Sequence, residues 1–273
     1  MLLDLFRIRG IGLLLFCCAC SSMAYAEPEV KLDANQSKPY WSKDMKGQGM
    51  CGEIVHAISK AAGIKSVLAF KPLKRMIEDD SNNDLGNPAF YMDNQEFAAI
   101  VPIAVIHTAI FSYRPNHTKP VTIHSLQDLR GYKLGALKGT VVDRSSFADA
   151  GIVFEESYSQ ESLFKKLRKG RIDLVVEIDL VGRSVIEDIF PGESDAFTVA
   201  RLPESESPIA ILLADDQPDG RALGMLYRQG LQQIRDSGEY TAILKRYYDK
   251  GILPDQFDAT LDRFSYLYLT GDE

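Results

Sequence analysis

The stretch Ser159-Gln160-Glu161-Ser162-Leu163-Phe164-Lys165-Lys166-Leu167-Arg168-Lys169-Gly170-Arg171-Ile172-Asp173-Leu174-Val175-Val176 carries two structural periods in succession. Leu163, Phe164 and Leu167 fall on one side of a helix that Ser159 caps and Gly170 ends. The run 172–176 is then almost continuously apolar, which predicts a strand buried on both faces. A helix that feeds directly into such a strand is the repeating unit of a parallel α/β sheet.

The same rhythm extends in both directions. Upstream, Val30, Leu32 and Ala34 alternate as a first strand. Cys51, Ile54, Val55, Ile58 and Ala62 recur at helical spacing up to Gly63, 66–70 reads as a second strand, and Pro72 opens a short helix carrying Leu73, Met76 and Ile77. Segment 105–113 is rich in β-forming residues. The stretch 114–120 holds two prolines, an Asn and a His and reads as a connector, after which 132–137 starts a new strand and 143–150 a new helix. A second connector, 203–208, is acidic and bounded by Pro203 and Pro208. It precedes a strand at 209–214 and two closing helices, the last built on Tyr240, Ile243, Leu244 and Tyr247.

Two connectors that enclose a middle segment predict one lobe inserted in another, with a cleft between them. The expected division is 1–26 as a leader, 27–112 and 209–255 as one lobe, 113–208 as the inserted lobe, and 256–273 as a tail. It places the strands 172–176 and 209–214 in different sheets.

The leader reading rests on Arg7 and Arg9, the short apolar run 11–19 and the triplet Ala24-Tyr25-Ala26, which together form a secretory signal cleaved before Glu27 and predict a periplasmic protein. A second reading has Cys20 acylated after cleavage behind Ala19, although Cys17 stands where such signals want Leu. Cys17, Cys18 and Cys20 leave with the leader in the first reading, so Cys51 remains as a lone thiol, expected to be a small core residue.

Without Asp4, Arg7 and Arg9 the formal charge of −7 becomes −8, and no basic stripe interrupts it. That argues against a nucleic-acid partner, which needs clustered Lys and Arg. Gly47-Gln48-Gly49-Met50-Cys51-Gly52 matches G-x-G-x-x-G and opens a helix, but Lys43, Asp44 and Lys46 occupy the place of the buried strand that a dinucleotide fold requires. His56, His107, His117 and His124 show no metal-ligand spacing. No cofactor and no metal is expected.

Several stretches together resemble a known family, the extracellular solute-binding proteins of the amino-acid-binding class that serve polar amino acid ABC importers. They are Pro39-Tyr40-Trp41-Ser42, Gly49-Met50-Cys51-Gly52-Glu53-Ile54-Val55, Pro72-Leu73-Lys74-Arg75, Ser125-Leu126-Gln127-Asp128-Leu129-Arg130-Gly131, Leu134-Gly135-Ala136-Leu137-Lys138-Gly139-Thr140, the 161–176 run and Ser237-Gly238-Glu239-Tyr240. The resemblance implies an α/β, two-lobed periplasmic-binding-protein fold (type II) whose lobes are joined by two crossing strands and close on a ligand by a hinge motion.

It implies a ligand site drawn from Tyr40, Trp41, Arg75, Tyr91, Glu96, Thr140 and Glu177. Tyr40 and Trp41 would supply a flat apolar wall or, in the plainer reading, packing between lobes. The Thr140 hydroxyl, with the backbone freed by Gly139, would donate to an anionic or carbonyl oxygen. The chain departs from the family where amino-acid recognition concentrates: Glu96 stands where an arginine would clamp an α-carboxylate, and Ile178, between Glu177 and Asp179, where an acid would hold an α-amino group. Cleft carboxylates favour a cationic or hydroxyl-rich ligand.

The expected function is non-enzymatic binding of a small polar solute by a monomer that hands it to an importer permease or presents it to a membrane sensor. The competing reading is an enzyme on the same fold, cyclohexadienyl-dehydratase-like, with Glu96, Asp93 or Glu177 as acid and base.

Overall fold

The computed structural model describes residues 29–79, 81–91, 95–119, 121–138, 144–215, 219–248 and 251–270. The leader lies outside them, as do Asp93, Gly139 and Thr140. Among the described residues no helix is long and apolar enough to cross a membrane.

The strands are β1 (Glu29–Ala34), β2 (Lys65–Phe70), β3 (Asp84–Gly86), β4 (Phe97–Tyr113), β5 (Leu134–Leu137), β6 (Phe154–Ser157), β7 (Leu174–Ile178) and β8 (Phe197–Ala214). The helices are α1 (Met50–Ala62), α2 (Leu73–Ile77), α3 (Arg144–Asp149), α4 (Gln160–Arg168), α5 (Asp179–Ile189), α6 (Gly220–Asp236), α7 (Glu239–Lys245) and α8 (Phe257–Thr270). The deciding stretch folds as its periods require. The Ser159 hydroxyl accepts from the Ser162 amide at the start of α4, Leu163, Phe164 and Leu167 are fully buried, and Leu174 to Val176 lie in the interior of the sheet.

The strands are hydrogen-bonded in the order β2-β1-β3-β8-β4-β7-β5-β6. The long antiparallel pair β4 and β8 crosses from one lobe to the other, and the pairing changes hands along it. Up to His107, β4 shares its lobe with β1, β2 and β3 through β8; from Thr108 onward it pairs with β7, which carries β5 and β6. A register shift between His107 and Ala109 marks the passage.

The register also fixes direction. Gly86 ends β3 opposite Ala210, and Ile178 ends β7 opposite Thr108, so the parallel strands of both lobes run with their carboxyl ends toward that passage. Loops at the carboxyl ends of parallel strands are where such sheets bind ligands.

Three expectations are corrected here. The strands 172–176 and 209–214 belong to one continuous ladder, because β4 and β8 bridge the lobes as strands and not as loops. The segment 203–208 is part of β8 and not a connector. Pro208 is tolerated because β3 pairs only with Ala210, Ile211 and Leu212, so one edge of β8 has no described neighbour at Pro208. The segment 256–273 contains α8, whose Phe257 and Leu261 are buried in the main core at i, i+4 spacing, while Asp258 and Asp262 meet Arg235 of α6 at 3.8 and 2.6 Å.

The first lobe packs α1, α6, α7 and α8 on one face of its strands around Leu32, Ile54, Ile58, Tyr227 and Leu244. The second has a core on each face: Phe111, Phe164, Leu167 and Ile186 on one side, Leu129, Leu134, Phe147 and Leu174 on the other. Cys51 is buried in the first lobe, and burial pushes its thiol up, as befits a core residue.

Candidate functional site

The interlobe passage is the candidate site, and the loop 35–41 dominates its first-lobe side. This loop is pinned to α1: the Met50 amide donates to Pro39 O at 3.0 Å and the Cys51 amide to Tyr40 O at 2.7 Å. So close an approach needs Gly49, which has φ 91; a Cβ there would stand 2.8 Å from both carbonyl oxygens. The glycines of 47–52 thus serve a backbone clasp. Two leading amides of α1, which a phosphate would need, already have partners.

Tyr40 and Trp41 are 2% and 6% exposed, with ring centroids 6.0 Å apart, and the Trp41 indole N–H donates to Asn35 Oδ1 at 2.9 Å. They share the main core with Leu180 and Val181 of α5, a helix of the second lobe. Lys38 and Asp188 of α5 form an ion pair at 3.6 Å across the same seam. The two aromatics therefore pack between the lobes and do not present an open wall.

On the second-lobe side Glu177 is the penultimate residue of β7 and is buried. Its Oε1 accepts from the Ile178 amide at 2.9 Å and its Oε2 from Gln160 Nε2 at 3.1 Å. Burial raises its carboxyl above the usual range, and these two hydrogen bonds pull it partly back. Ser157, at the end of β6, has a buried hydroxyl with no hydrogen-bond partner among the described residues. Beside it Tyr158 is exposed, with the Lys138 ammonium 5.0 Å above its ring.

Asp179, the first residue of α5, is 3% exposed and held from two sides: Arg183 Nε donates to Oδ1 at 2.5 Å, and Arg201 of β8 donates to Oδ2 from Nε at 2.9 Å. The acid nearest the expected ammonium position is thus already neutralised by the chain's own guanidinium groups. His107, at the register shift, has its imidazole pushed down by burial and by Arg201.

The remaining sequence-derived candidates do not converge on the passage. Tyr91 is fully buried on the α2 face of the first lobe, packed with Met76, Ala210 and Leu212. Arg75 is exposed on α2. Glu96 is exposed and immediately precedes β4, whose first residue pairs with Ala214. Ten residues of extended chain separate that end from the register shift, roughly 30 Å, so Glu96 is no part of the cleft. The resemblance misplaces Glu96 because β3 stops at Gly86 and β4 begins at the far end of the lobe.

Arg201 carried no signal in the sequence, since its position depends on the register of β8 against β4; Asp179 was legible only as a neighbour of Ile178. Two surface depressions, of about 400 and 270 Å³, lie away from the passage, one among Gln232, Arg235, Tyr240 and Asp262 and the other beside His56, Lys60 and Arg246. Among the described residues no group of three or more His, Cys, Asp or Glu is placed to hold a metal ion.

The architecture is that of the type II periplasmic binding proteins. A histidine kinase sensor domain with similarity to periplasmic binding proteins superposes with a TM-score of 0.62 at 18% identity, over 81% of this chain and 96% of that one. The GluR0 ligand-binding core from Nostoc punctiforme, in complex with L-glutamate, gives 0.61 at 19% identity, over 81% and 99%. An ancestral amino-acid-binding protein, a precursor of cyclohexadienyl dehydratase, gives 0.60 at 16% identity, over 81% and 95%. No protein-family model matches the chain, and no curated protein matches its sequence.

Proposed function

We propose that the protein takes a small polar solute into the cleft between its lobes, as a non-enzymatic monomer of the periplasm, and presents it to a membrane partner, either the permease of an ABC importer or a sensor. The observation that carries this reading is the register: the parallel strands of both lobes point their carboxyl ends at one passage that β4 and β8 cross, with an irregularity in both lobes' shared ladder at His107. A two-strand connection interrupted there is suited to a hinge. We place the exchange between lobes at this irregularity, upstream of residue 113.

The chemistry of the passage favours a ligand other than one held by its α-carboxylate and α-ammonium groups. Glu96 is remote, so no residue replaces the missing carboxylate clamp from that position, and Asp179 is occupied by Arg183 and Arg201. Glu177, Gln160, Ser157 and Lys138 are the polar groups that a cationic or hydroxyl-bearing solute would meet. A thermal-shift screen across amino acids, polyamines, sugars and organic acids tests the reading, since a ligand at 100 times its Kd adds about 2.7 kcal/mol of stability.

The enzymatic alternative draws support from the raised carboxyl of Glu177 and from the likeness to a dehydratase precursor. Turnover of prephenate-like substrates that disappears in Glu177→Gln would favour it over simple binding.

A further inference from the structure

The face of the first-lobe sheet that lies beneath α2 carries a polar arrangement that solute binding does not explain. Asp33 of β1 and Asp84 of β3 are register partners in a parallel pair, so their side chains leave the same face side by side. Both are buried, at 1% and 0% exposure. The Lys71 ammonium, just beyond β2, sits on Asp33, and Lys31 approaches its other oxygen at 3.5 Å. Asp79, after α2, lies 3.9 Å from Lys71.

Among the described residues neither oxygen of Asp84 has a hydrogen-bond partner. The Tyr91 hydroxyl is likewise buried without one, and it stands on the same face, 3.3 Å from where a Cβ on Gly86 would be. The surroundings are otherwise apolar, with Met76 from α2 and Ala210 and Leu212 from β8.

An ionised Asp84 would be a second buried carboxylate beside the first, with Lys71 already committed to Asp33. One proton shared between the two carboxyl groups removes the second buried charge. A protonated Asp84 can donate to the Asp33 carboxylate beside it, which an ionised Asp84 cannot.

We propose that Asp33 and Asp84 hold a single proton between them as a carboxyl–carboxylate pair, and that its loss as the pH rises loosens the ends of β1 and β3, from which the cleft loop 35–41 and the segment 87–91 spring. The coupling to the cleft rests on the function proposed above; the proton site itself does not. Burial, and then Asp33, raise the Asp84 carboxyl from 3.8 to about 8. Its folded pKa lies above its unfolded one, so the folded chain binds the extra proton. The resulting stabilisation is complete below about pH 4 and is lost as the pH rises toward 8.

The test is an NMR titration of the full chain from pH 5 to 10, with aspartate carboxyl carbons and backbone amides observed together and no ligand present. The expected result is one aspartate carboxyl that titrates near pH 8, with the amides of 35–41 and 87–91 shifting at the same midpoint. Asp84→Asn should remove both and flatten the fall in denaturant midpoint between pH 5 and 9. If every aspartate carboxyl is ionised by pH 6, the pair does not exist. If a carboxyl titrates near pH 8 while those amides stay still, the coupling is overturned. Neither readout requires the solute, so a failure to find a cleft ligand changes neither result. The wild-type titration decides the matter even where the variant does not fold.

Discussion

Arg201 of β8 donates to Asp179 of α5 at 2.9 Å, and this contact joins a crossing strand to the helix that closes the seam between lobes. Arg183 takes the other carboxylate oxygen, so Asp179 is doubly held at the N-terminus of α5, where a negative charge also suits the helix dipole. Asp179→Ala leaves both half-exposed arginines free to rehydrate but unfastens α5; a loss of about 1–3 kcal/mol in denaturant unfolding is expected. Arg201→Ala keeps Arg183 on the carboxylate and should cost about 1 kcal/mol or less. Equal and negligible losses in both variants would show that the triad contributes nothing to the seam.

Trp41→Ala should cost about 3–5 kcal/mol, since the side chain is 6% exposed and packs in the core shared with α5. Asn35→Ala removes only the acceptor of the indole N–H, and about 1 kcal/mol is expected. Urea titrations of the two variants check the ratio.

Gly182 lies so close to β4 that a Cβ would stand 2.2 Å from the Phe111 ring. The Gly182→Ala substitution would normally favour a helix, yet here it should destabilise by about 1–3 kcal/mol through overpacking. The double variant with Phe111→Leu should recover part of the loss, and calorimetric Tm values report both changes.

Glu177 has its carboxyl raised by burial above its ordinary value of 4.5. A raised carboxyl favours the folded state fully below that value, and the advantage fades as the pH climbs through the folded pKa. Glu177→Gln should therefore gain in stability relative to the wild type between pH 5 and 8, with little difference at pH 4. A wild-type advantage that grows with pH would mean that the hydrogen bonds from Gln160 and Ile178 outweigh burial.

Much of the fold was legible because helix and strand periods survive burial. Leu163, Phe164, Leu167 and the 172–176 run announced α4 and β7, and Cys51, Ile54, Val55 and Ile58 announced α1. The short strand β3 has only three residues and no period to read, and the prolines at 203 and 208 disguised a strand whose outer edge is unpaired there. α8 escaped notice as a tail although Phe257 and Leu261 show helical spacing.

The site was less legible than the fold. Tyr40 and Trp41 come to the passage because they follow β1, and Glu177 because it lies near the end of β7, strands that sequence periods locate. Tyr91 and Glu96 depend on how a loop turns back after β3, and Arg201 depends on a strand register. Neither is written in any local pattern.

Trp41 is the only tryptophan in the chain and sits in the core to which Leu180 and Val181 of α5 also belong, so its emission reports on the packing between lobes. Titration of the protein with the solute found by thermal shift, followed by Trp41 fluorescence and calorimetry in parallel, is the decisive measurement. One site per chain is expected, with a saturable change in emission at the calorimetric midpoint and a smaller radius of gyration in the bound state. Saturable binding that leaves both the emission and the radius unchanged, or no saturable binding by any solute of the panel, would contradict capture between the lobes.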